Sequence, residues 1–373
     1  MWEKRKVRVR LGDYIHEYSV RNKKDEEIPV YSVTNTQGFC KDYFDKEVAS
    51  RDKSTYKIVP RGAFAYNPSR INVGSVDWQN KEEKVIVSPL YNVFKVDPGL
   101  NQQYLLYYLK SDRTQHFIRE MATGSVRDNL KLTMLYEFSI NIPDLEEQIN
   151  IAYKLDKIRK VIALRKEELK GFDNLIKARF LEMFGDMYLN TLSWREVQLE
   201  IVADIVSGIT KGRKVKEQKL VEVPYMAVSN VKEGYIDWTT IKTIEATEQE
   251  IEQYRLLPDD VLMTEGGDPD KVGRGAIIRN PLENCIHQNH IFRVRLNEKM
   301  ILPIFFAEYL QHQRSKRYFL GCAKQTTGIA SINMKQLRAL PVLLPPLELQ
   351  QQFSDFVIGV DKSKVAVQKA LDE

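Results

Sequence analysis

Two stretches of the chain carry apolar residues at heptad spacing, the pattern of helices that pack as a coiled coil. In residues 144–185, which contain no proline, the apolar positions are Ile151, Leu155, Ile158, Ile162, Leu169, Phe172 and Ile176. In residues 346–373 they are Phe353, Val357, Val360, Val367 and Leu371. Because neither apolar face is stable in water, we predict that the two helices pack together as an antiparallel coiled coil.

The first of these helices is predicted to be a spacer between domains. Asp144 and Glu147 suit its N-terminus and Gly185 its C-terminus. Some 40 residues at 1.5 Å each make a rod of roughly 60 Å. A buried helix of a compact domain is the alternative, but such helices average about 11–12 residues. The second helix is shorter than the first.

Outside the two helices, short alternating segments bounded by turn residues predict strands, for example VRVRL, PVYSV and YNVFKV. Aromatic-rich segments such as QYLLYYLKS predict helices among them. The expected fold class is α+β, with mixed α/β domains at residues 1–143 and 186–345, the central spacer helix at 144–185 and the C-terminal helix at 346–373.

The second half of the chain repeats the first at a spacing of about 200 residues. IPVYSVTN returns as VPYMAVSN, YKIVPRGAF as YRLLPDDVL, TGSVRDNLK as TGIASINMK and IPDLEEQ as LPPLELQ. Phe94 of SPLYNVFKV matches Phe292 of IHQNHIFRV. Five matches in one order indicate a domain duplication, because solenoid repeats are only about 20–50 residues long.

Composition excludes several classes of protein. The 373 residues are 43% hydrophobic and 29% charged, and no apolar run reaches the roughly 18 residues that a membrane helix needs. Cys40, Cys285 and Cys322 are dispersed, which argues against a disulfide framework. The charged N-terminal segment does not match a signal peptide. We expect a cytoplasmic protein without membrane contact, whose net charge of +5 permits nucleic-acid binding.

The plan of domain, helix, domain and helix resembles the specificity subunits of Type I restriction-modification systems. The segments that carry the resemblance are YNP, VSPLYNVF, GDPDKVGRGAII, QNHIFRV and the LPPLExQ-type segment before each helix. The resemblance implies two target recognition domains that each read one half of a bipartite, asymmetric site in double-stranded DNA, while the helix pair sets the gap. It also implies two methyltransferase subunits and restriction subunits as partners, and no catalytic residues in this chain.

Candidate DNA contacts are the Arg, Lys, Asn, Gln, Ser, Thr and His residues of the predicted loops, because such side chains reach phosphates and base edges. In the first domain they are Asn67, Arg70, Asn72, Ser125, Arg127, Asn129 and Lys131. In the second they are Thr210, Lys211, Arg213, Lys214, Lys271, Arg274, His290, Lys324, Gln325, Thr327, Ser331, Asn333 and Lys335. Turn formation is the alternative role of Asn129 and Asn333, and a solvated charge run that of any one lysine.

Catalytic and metal sites are weakly supported. Asn67-Pro68-Ser69-Arg70 lacks the aromatic residue and the AdoMet loop of an amino-methyltransferase. The glycines near Gly266 match no nucleotide-binding loop. Cys285, His287 and His290 lack a fourth zinc ligand. We therefore expect no metal and no cofactor on this chain, with AdoMet, ATP and Mg²⁺ on partner subunits. A self-contained methyltransferase or nuclease, and a helical scaffold that does not bind DNA, remain the alternatives.

Overall fold

The structure is a computed structural model that describes residues 8–41, 52–121, 129–213, 219–268, 271–326 and 329–372. The chain divides into two compact units, Met1–Ile162 and Ala163–Glu373. The division falls within one continuous helix, so the helix contributes residues to both units.

Among the described residues, the first unit has ten strands and three α-helices before the long helix. The strands are β1 (Arg8–Arg10), β2 (Ile15–Glu17), β3 (Ser32–Thr34), β4 (Gly38–Cys40), β5 (Lys57–Pro60), β6 (Phe64–Tyr66), β7 (Val76–Trp78), β8 (Lys84–Val87), β9 (Asn92–Val96) and β10 (Ser139–Asn141). The helices are α1 (Gln102–Lys110), α2 (Asp112–Met121) and α3 (Leu132–Tyr136).

An antiparallel sheet of order β2-β9-β6-β7 forms the centre of this unit. Phe64 and Phe94 face each other across β6 and β9 and belong to the core that includes residues of α1, α2 and α3. Their neighbours Ala65 and Val93 belong to a second core on the opposite face. Both faces of the central strands are therefore buried.

The long helix α4 (Leu145–Phe184) follows, and the part of the second unit that the structure describes continues with twelve strands and five α-helices. The strands are β11 (Arg195–Gln198), β12 (Ala203–Ser207), β13 (Val221–Met226), β14 (Lys242–Ala246), β15 (Val261–Thr264), β16 (Gly266–Gly267), β17 (Gly275–Ile277), β18 (Ile286–His287), β19 (Ile291–Leu296), β20 (Lys324–Thr326), β21 (Ile329–Ser331) and β22 (Pro341–Leu344). The helices are α5 (Glu248–Tyr254), α6 (Pro303–Gln311), α7 (Gln313–Cys322), α8 (Met334–Arg338) and α9 (Leu347–Asp372).

The second unit repeats the plan of the first. Its central sheet has the order β12-β19-β15-β17, all antiparallel, and α6, α7 and α8 correspond in sequence order to α1, α2 and α3. The two-stranded ladder β1-β10 corresponds to β11-β22. The duplication in the sequence is thus a duplication of fold.

The C-terminal part of α4 packs antiparallel to α9. Phe353 near the start of α9 contacts Phe180 and Phe184 with ring centroids 5.3 and 5.5 Å apart, whereas Lys364 farther along binds Asp173 at 2.7 Å. Residues later in α9 therefore contact residues earlier in α4. This confirms the antiparallel helix pair of the predicted fold.

The predicted seam residues differ in burial. Ile176, Phe353, Val357, Val360 and Val367 are buried. Ile151, Leu155, Leu169, Phe172 and Leu371 are half-buried. Ile158 and Ile162 are exposed by 54% and 38%. The Lys364–Asp173 contact gives the register of the two helices, and each residue forward in α9 corresponds to one residue back in α4. Asp372, the last residue of α9, therefore lies level with about residue 165 of α4.

A buried glutamine fixes the start of each long helix to its own domain. Gln148 Oε1 accepts a 2.8 Å hydrogen bond from Asn101 N, and its Nε2 donates to the carbonyls of Gly99 and Pro143. Gln350 Oε1 likewise accepts from Leu302 N at 2.8 Å, and its Nε2 donates to the carbonyls of Met300 and Pro345. Both side chains are fully buried, so each helix leaves its domain in a fixed orientation.

Candidate nucleic-acid interface

Several of the predicted DNA-contact segments of the second unit meet at one end of the β15-β19 ladder. Gly266 of β16 pairs with Ser331 of β21, and Ser331 pairs with Lys324 of β20. A Cβ at Gly266 would lie 3.2 Å from the carbonyl oxygen of Ala330, so this close strand pairing favours glycine. The result is a small three-stranded sheet that carries Lys324, which is exposed, and Ser331, which is half-buried.

The segment before β19 joins the same junction. Glu265 N donates to His290 O at 2.9 Å, and Ile332 N donates to Glu265 O at 2.8 Å. The segment after β12 adjoins it, because Ile209 N donates to His287 O and Asn289 N donates to Ile209 O. Thr210, which follows Ile209, is therefore beside this segment.

A polar side-chain pair lies at the centre of the junction. His290 Nδ1 and Glu265 Oε2 are 2.5 Å apart, and the side chains are 57% and 34% exposed. Asn289 Nδ2 lies 3.4 Å from His290 Nε2. An ionised carboxylate can only accept, so Nδ1–H donates to the Glu265 carboxylate. Glu265 was not among the predicted contacts.

The corresponding end of the β6-β9 ladder in the first unit carries a different pair. Tyr66 faces Asn92, and Asn92 Nδ2 donates to Tyr66 Oη at 2.8 Å. Tyr66 Oη donates in turn to the carbonyl of Leu130 at 3.1 Å, and burial raises the pKa of this phenol. Leu130 N also donates to Pro68 O, so the 67–75 loop and the segment at 129–131 lie together.

Most of the predicted contact residues that the structure describes have side chains open to solvent. Those exposed are Arg70, Asn129, Lys131, Thr210, Lys211, His290, Lys324, Asn333 and Lys335. Those half-buried are Asn67, Asn72, Arg213, Lys271, Arg274 and Ser331. Gln325 belongs to β20, while Ser125, Arg127, Lys214 and Thr327 lie outside the described residues. Contact of any of these residues with DNA stays a prediction.

Besides His290, four more of these side chains have partners among the described residues. Asn67 Oδ1 accepts from Ser69 N and Oγ, and Asn333 Oδ1 caps α8 by accepting from Gln336 N at 2.9 Å. Lys271 is paired with Asp268. Turn and cap formation thus accounts for the two asparagines without any ligand.

Arg213 is the fourth of these predicted contact residues with a partner in the chain. Its Nε and Nη2 donate to the two carboxylate oxygens of Glu250 at 2.6 and 2.5 Å, with both side chains about one-fifth exposed. These bonds raise the pKa of the Arg213 guanidinium and lower that of the Glu250 carboxyl. Glu250 also accepts from Thr247 N at the start of α5. Arg213 therefore fixes the end of its loop to α5.

The cysteine and histidines of the CxHxxH segment have separate surroundings. Burial raises the pKa of the Cys285 thiol to about 12, which disfavours the thiolate form that binds zinc. His287 is fully buried, its Nδ1 faces Ile291 O at 3.1 Å, and burial lowers its pKa to about 4. Within the described residues, no group of three or more His, Cys, Asp or Glu side chains could hold a metal ion.

Sequence reasoning missed the polar groups contributed by the ladder ends. Besides Glu265 they include Asn92, Asn289 and the half-buried Tyr91, whose Oη accepts from Val33 N at 3.4 Å. Their signal was the polar end of an apolar strand segment, which is visible only once the strands are paired.

No helix among the residues described is long and apolar enough to cross a membrane.

Comparison with known families gives two matches along the chain. The model of the Type I restriction modification DNA specificity domain matches residues 12–171 and 192–373. The Type I restriction enzyme EcoKI specificity subunit of Escherichia coli (strain K12) is 23% identical over 363 residues, 92% of this chain and 77% of that protein. The StySPI specificity subunit of Salmonella potsdam is 22% identical over 362 residues, with the same two coverages.

Solved structures share the fold. The S subunit of a Type I restriction-modification system from M. genitalium has a TM-score of 0.54 at 15% identity, covering 98% of this chain and 92% of that one. A chain from a structure of the assembly and conformational transition of the type I R-M system has a TM-score of 0.58 at 18% identity, with the same coverages. At these identities the likeness concerns the fold alone.

Proposed function

The chain belongs to the Type I restriction-modification specificity subunits and has two tandem DNA specificity domains, and from this we propose how it reads DNA. Each domain recognises one half of a bipartite, asymmetric site in double-stranded DNA. The helix pair of α4 and α9 sets the gap between the two halves.

The observation that carries the proposal is the repeated ladder end. Both units have the same strand order in the central sheet and a polar side-chain pair at the corresponding end, beside the segments with basic and amide side chains. The pairs differ in chemistry. Two domains of one fold with different polar groups are suited to two different short sequences.

We further propose that the chain is not itself an enzyme. Methylation and cleavage would be activities of the assembled complex, with AdoMet, ATP and Mg²⁺ bound by partner subunits in the cytoplasm. Two methyltransferase subunits would dock along the helix pair, and restriction subunits would join them. The family membership supports this division of work, because the curated relatives are named specificity subunits.

The test is selection of bound DNA from a random duplex library, with the full chain alone and with its methyltransferase partner. We expect a motif of two short defined halves around a fixed unspecified gap. A single uninterrupted motif, or no motif even with the partner, would contradict the proposal and favour an enzyme or a scaffold.

A further inference from the structure

Glu265 is the acidic member of the His290–Glu265 pair at this junction. Around it are Lys324, Ser331 and the backbone of Gly266 and Gly267. Its carboxylate is held from one side only, because Oε2 accepts from His290 Nδ1 while Oε1 has no hydrogen-bond partner among the described residues. The side chain is one-third exposed, so Oε1 is open to a ligand.

A carboxylate at a surface that meets DNA is unfavourable unless it has a specific partner, because it repels the phosphates. Glu265 is also well fixed: its N–H donates to His290 O, its carbonyl accepts from Ile332 N, and its carboxylate accepts from the imidazole. A side chain held in this way is suited to recognise one pattern of donors and acceptors, because it loses little conformational entropy on binding.

The chemistry of a carboxylate restricts what it can read. An ionised carboxylate only accepts hydrogen bonds. In the major groove, guanine offers N7 and O6 acceptors, thymine offers O4, and adenine offers N7 beside its N6 donor. Cytosine offers the N4 amine without an acceptor on the same edge. A fixed acceptor therefore favours cytosine over the other three bases.

We propose that Glu265 is a specificity-determining residue of the second domain, with its carboxylate accepting from N4 of a cytosine in the second half-site and His290 as its positioning residue. The inference rests on the proposed function and deepens it. In the first domain the corresponding ladder end carries Tyr66 and Asn92, which are neutral, so the same base preference is not expected in the first half-site.

The experiment compares the bound motifs of the full chain carrying Glu265, Glu265→Gln or Glu265→Ala, each with the methyltransferase partner. With Glu265 we expect one position of the second half-site to be restricted to cytosine by about tenfold or more. Glu265→Gln adds a donor and should shift that position toward adenine, which an amide can bind through N6 and N7. Glu265→Ala should accept all four bases there. The first half-site and the gap should not change.

Glu298→Gln is the matched control, because this exposed carboxylate follows the opposite end of β19 and its loss changes the net charge equally. Its motif should equal that of the unmodified chain. Thermal unfolding of each variant establishes that the second unit is folded, and the isosteric Glu265→Gln retains an acceptor for His290. His290→Ala should weaken the preference for cytosine without replacing it by another base.

The outcomes separate the two proposals. If the unmodified chain selects no bipartite motif, the proposed function fails and the role of Glu265 fails with it. The unmodified chain could instead select a bipartite motif that Glu265→Gln and Glu265→Ala leave unchanged, or one whose second half has no position restricted to cytosine. Either result overturns only the role of Glu265. Glu265 would then serve to hold His290.

Discussion

Gln350 accepts a hydrogen bond from the backbone of Leu302, 48 residues earlier in the chain, and Gln148 makes the same bond to Asn101, 47 residues earlier. In both units the glutamine also donates to the carbonyl of the proline five residues before it. In each unit, one buried amide thus connects the start of the long helix to an earlier segment of the chain. Such a side chain is difficult to replace, because each lost bond leaves a buried backbone group unsatisfied.

Gln350→Ala should lower the free energy of unfolding of the second unit by about 1–3 kcal/mol, because Leu302 N and the carbonyls of Met300 and Pro345 lose their partner. Denaturant titration followed by far-UV circular dichroism measures the change. Gln351→Ala is the control, since the Gln351 side chain is exposed and donates to Asp355 one turn on in the same helix. Equal effects of the two substitutions would contradict the role of Gln350.

His287 should make the second unit less stable in acid. Its folded pKa of about 4 is below the ordinary value of 6.5, so the unfolded chain binds the proton first. The stabilisation is complete above pH 6.5 and is lost as pH falls toward 4, by up to about 3 kcal/mol. We expect His287→Gln to reduce this loss relative to the unmodified chain between those pH values.

The measurement is denaturant unfolding at several pH values, and the quantity compared is the pH dependence rather than the stability at one pH. His116→Gln is the control, because the His116 side chain is 70% exposed. An unchanged pH dependence in His287→Gln would show that other groups account for the acid sensitivity.

Lys211 and Arg213 should differ in their effects on DNA binding although they are two residues apart. Lys211 is exposed, so Lys211→Ala should weaken binding to all sequences and lower the slope of log affinity against log salt by about one. Arg213 is bound by Glu250, so Arg213→Ala should leave the slope nearly unchanged.

The role of Arg213 is measured by a double-mutant cycle with Glu250→Ala. A coupling of about 1 kcal/mol in the free energy of unfolding is expected for a partly exposed bidentate pair. If the salt slope fell equally in Lys211→Ala and Arg213→Ala, and the cycle showed no coupling between Arg213 and Glu250, Arg213 would be a phosphate contact instead.

The length of the helix pair should determine the gap in the recognised site. One heptad inserted after Lys170 in α4 and another after Lys364 in α9 adds about 10 Å to each helix while retaining the apolar register. This corresponds to about three base pairs at 3.4 Å each. Library selection should return the same two half-sites with a longer gap. Altered half-site sequences would show that the helices do not act as a spacer.

The long helices and the duplication were predictable because both are one-dimensional signals. The heptad pattern predicts a helix at 144–185 and α4 spans Leu145–Phe184, while the family model matches the two halves separately. The same pattern could not distinguish Ile176, which is buried, from Ile158, which is exposed, because periodicity identifies an apolar face but not which part of it has a partner.

The contact residues were less predictable, because a sequence pattern does not show which side chains have a partner in the fold. Composition identifies the basic loops, but Arg213 is bound by a carboxylate 37 residues away and Asn333 caps a helix. The Glu265–His290 pair forms only when β15 and β19 are side by side. A residue type in a loop indicates what it could bind, whereas the fold decides which of its atoms are already occupied.

The order in which the chain is synthesised gives the glutamine bonds another consequence. Asn101, Gly99 and Pro143 all precede Gln148, so a nascent chain can complete this anchor before the second domain exists. Phe180 and Phe184 must wait, since their partners Phe305 and Phe353 are made more than a hundred residues later. At the ribosome's 5–20 residues per second, that apolar end of α4 is uncovered for roughly 6 to 35 seconds, the interval in which a chaperone or a misfolded contact would compete for it.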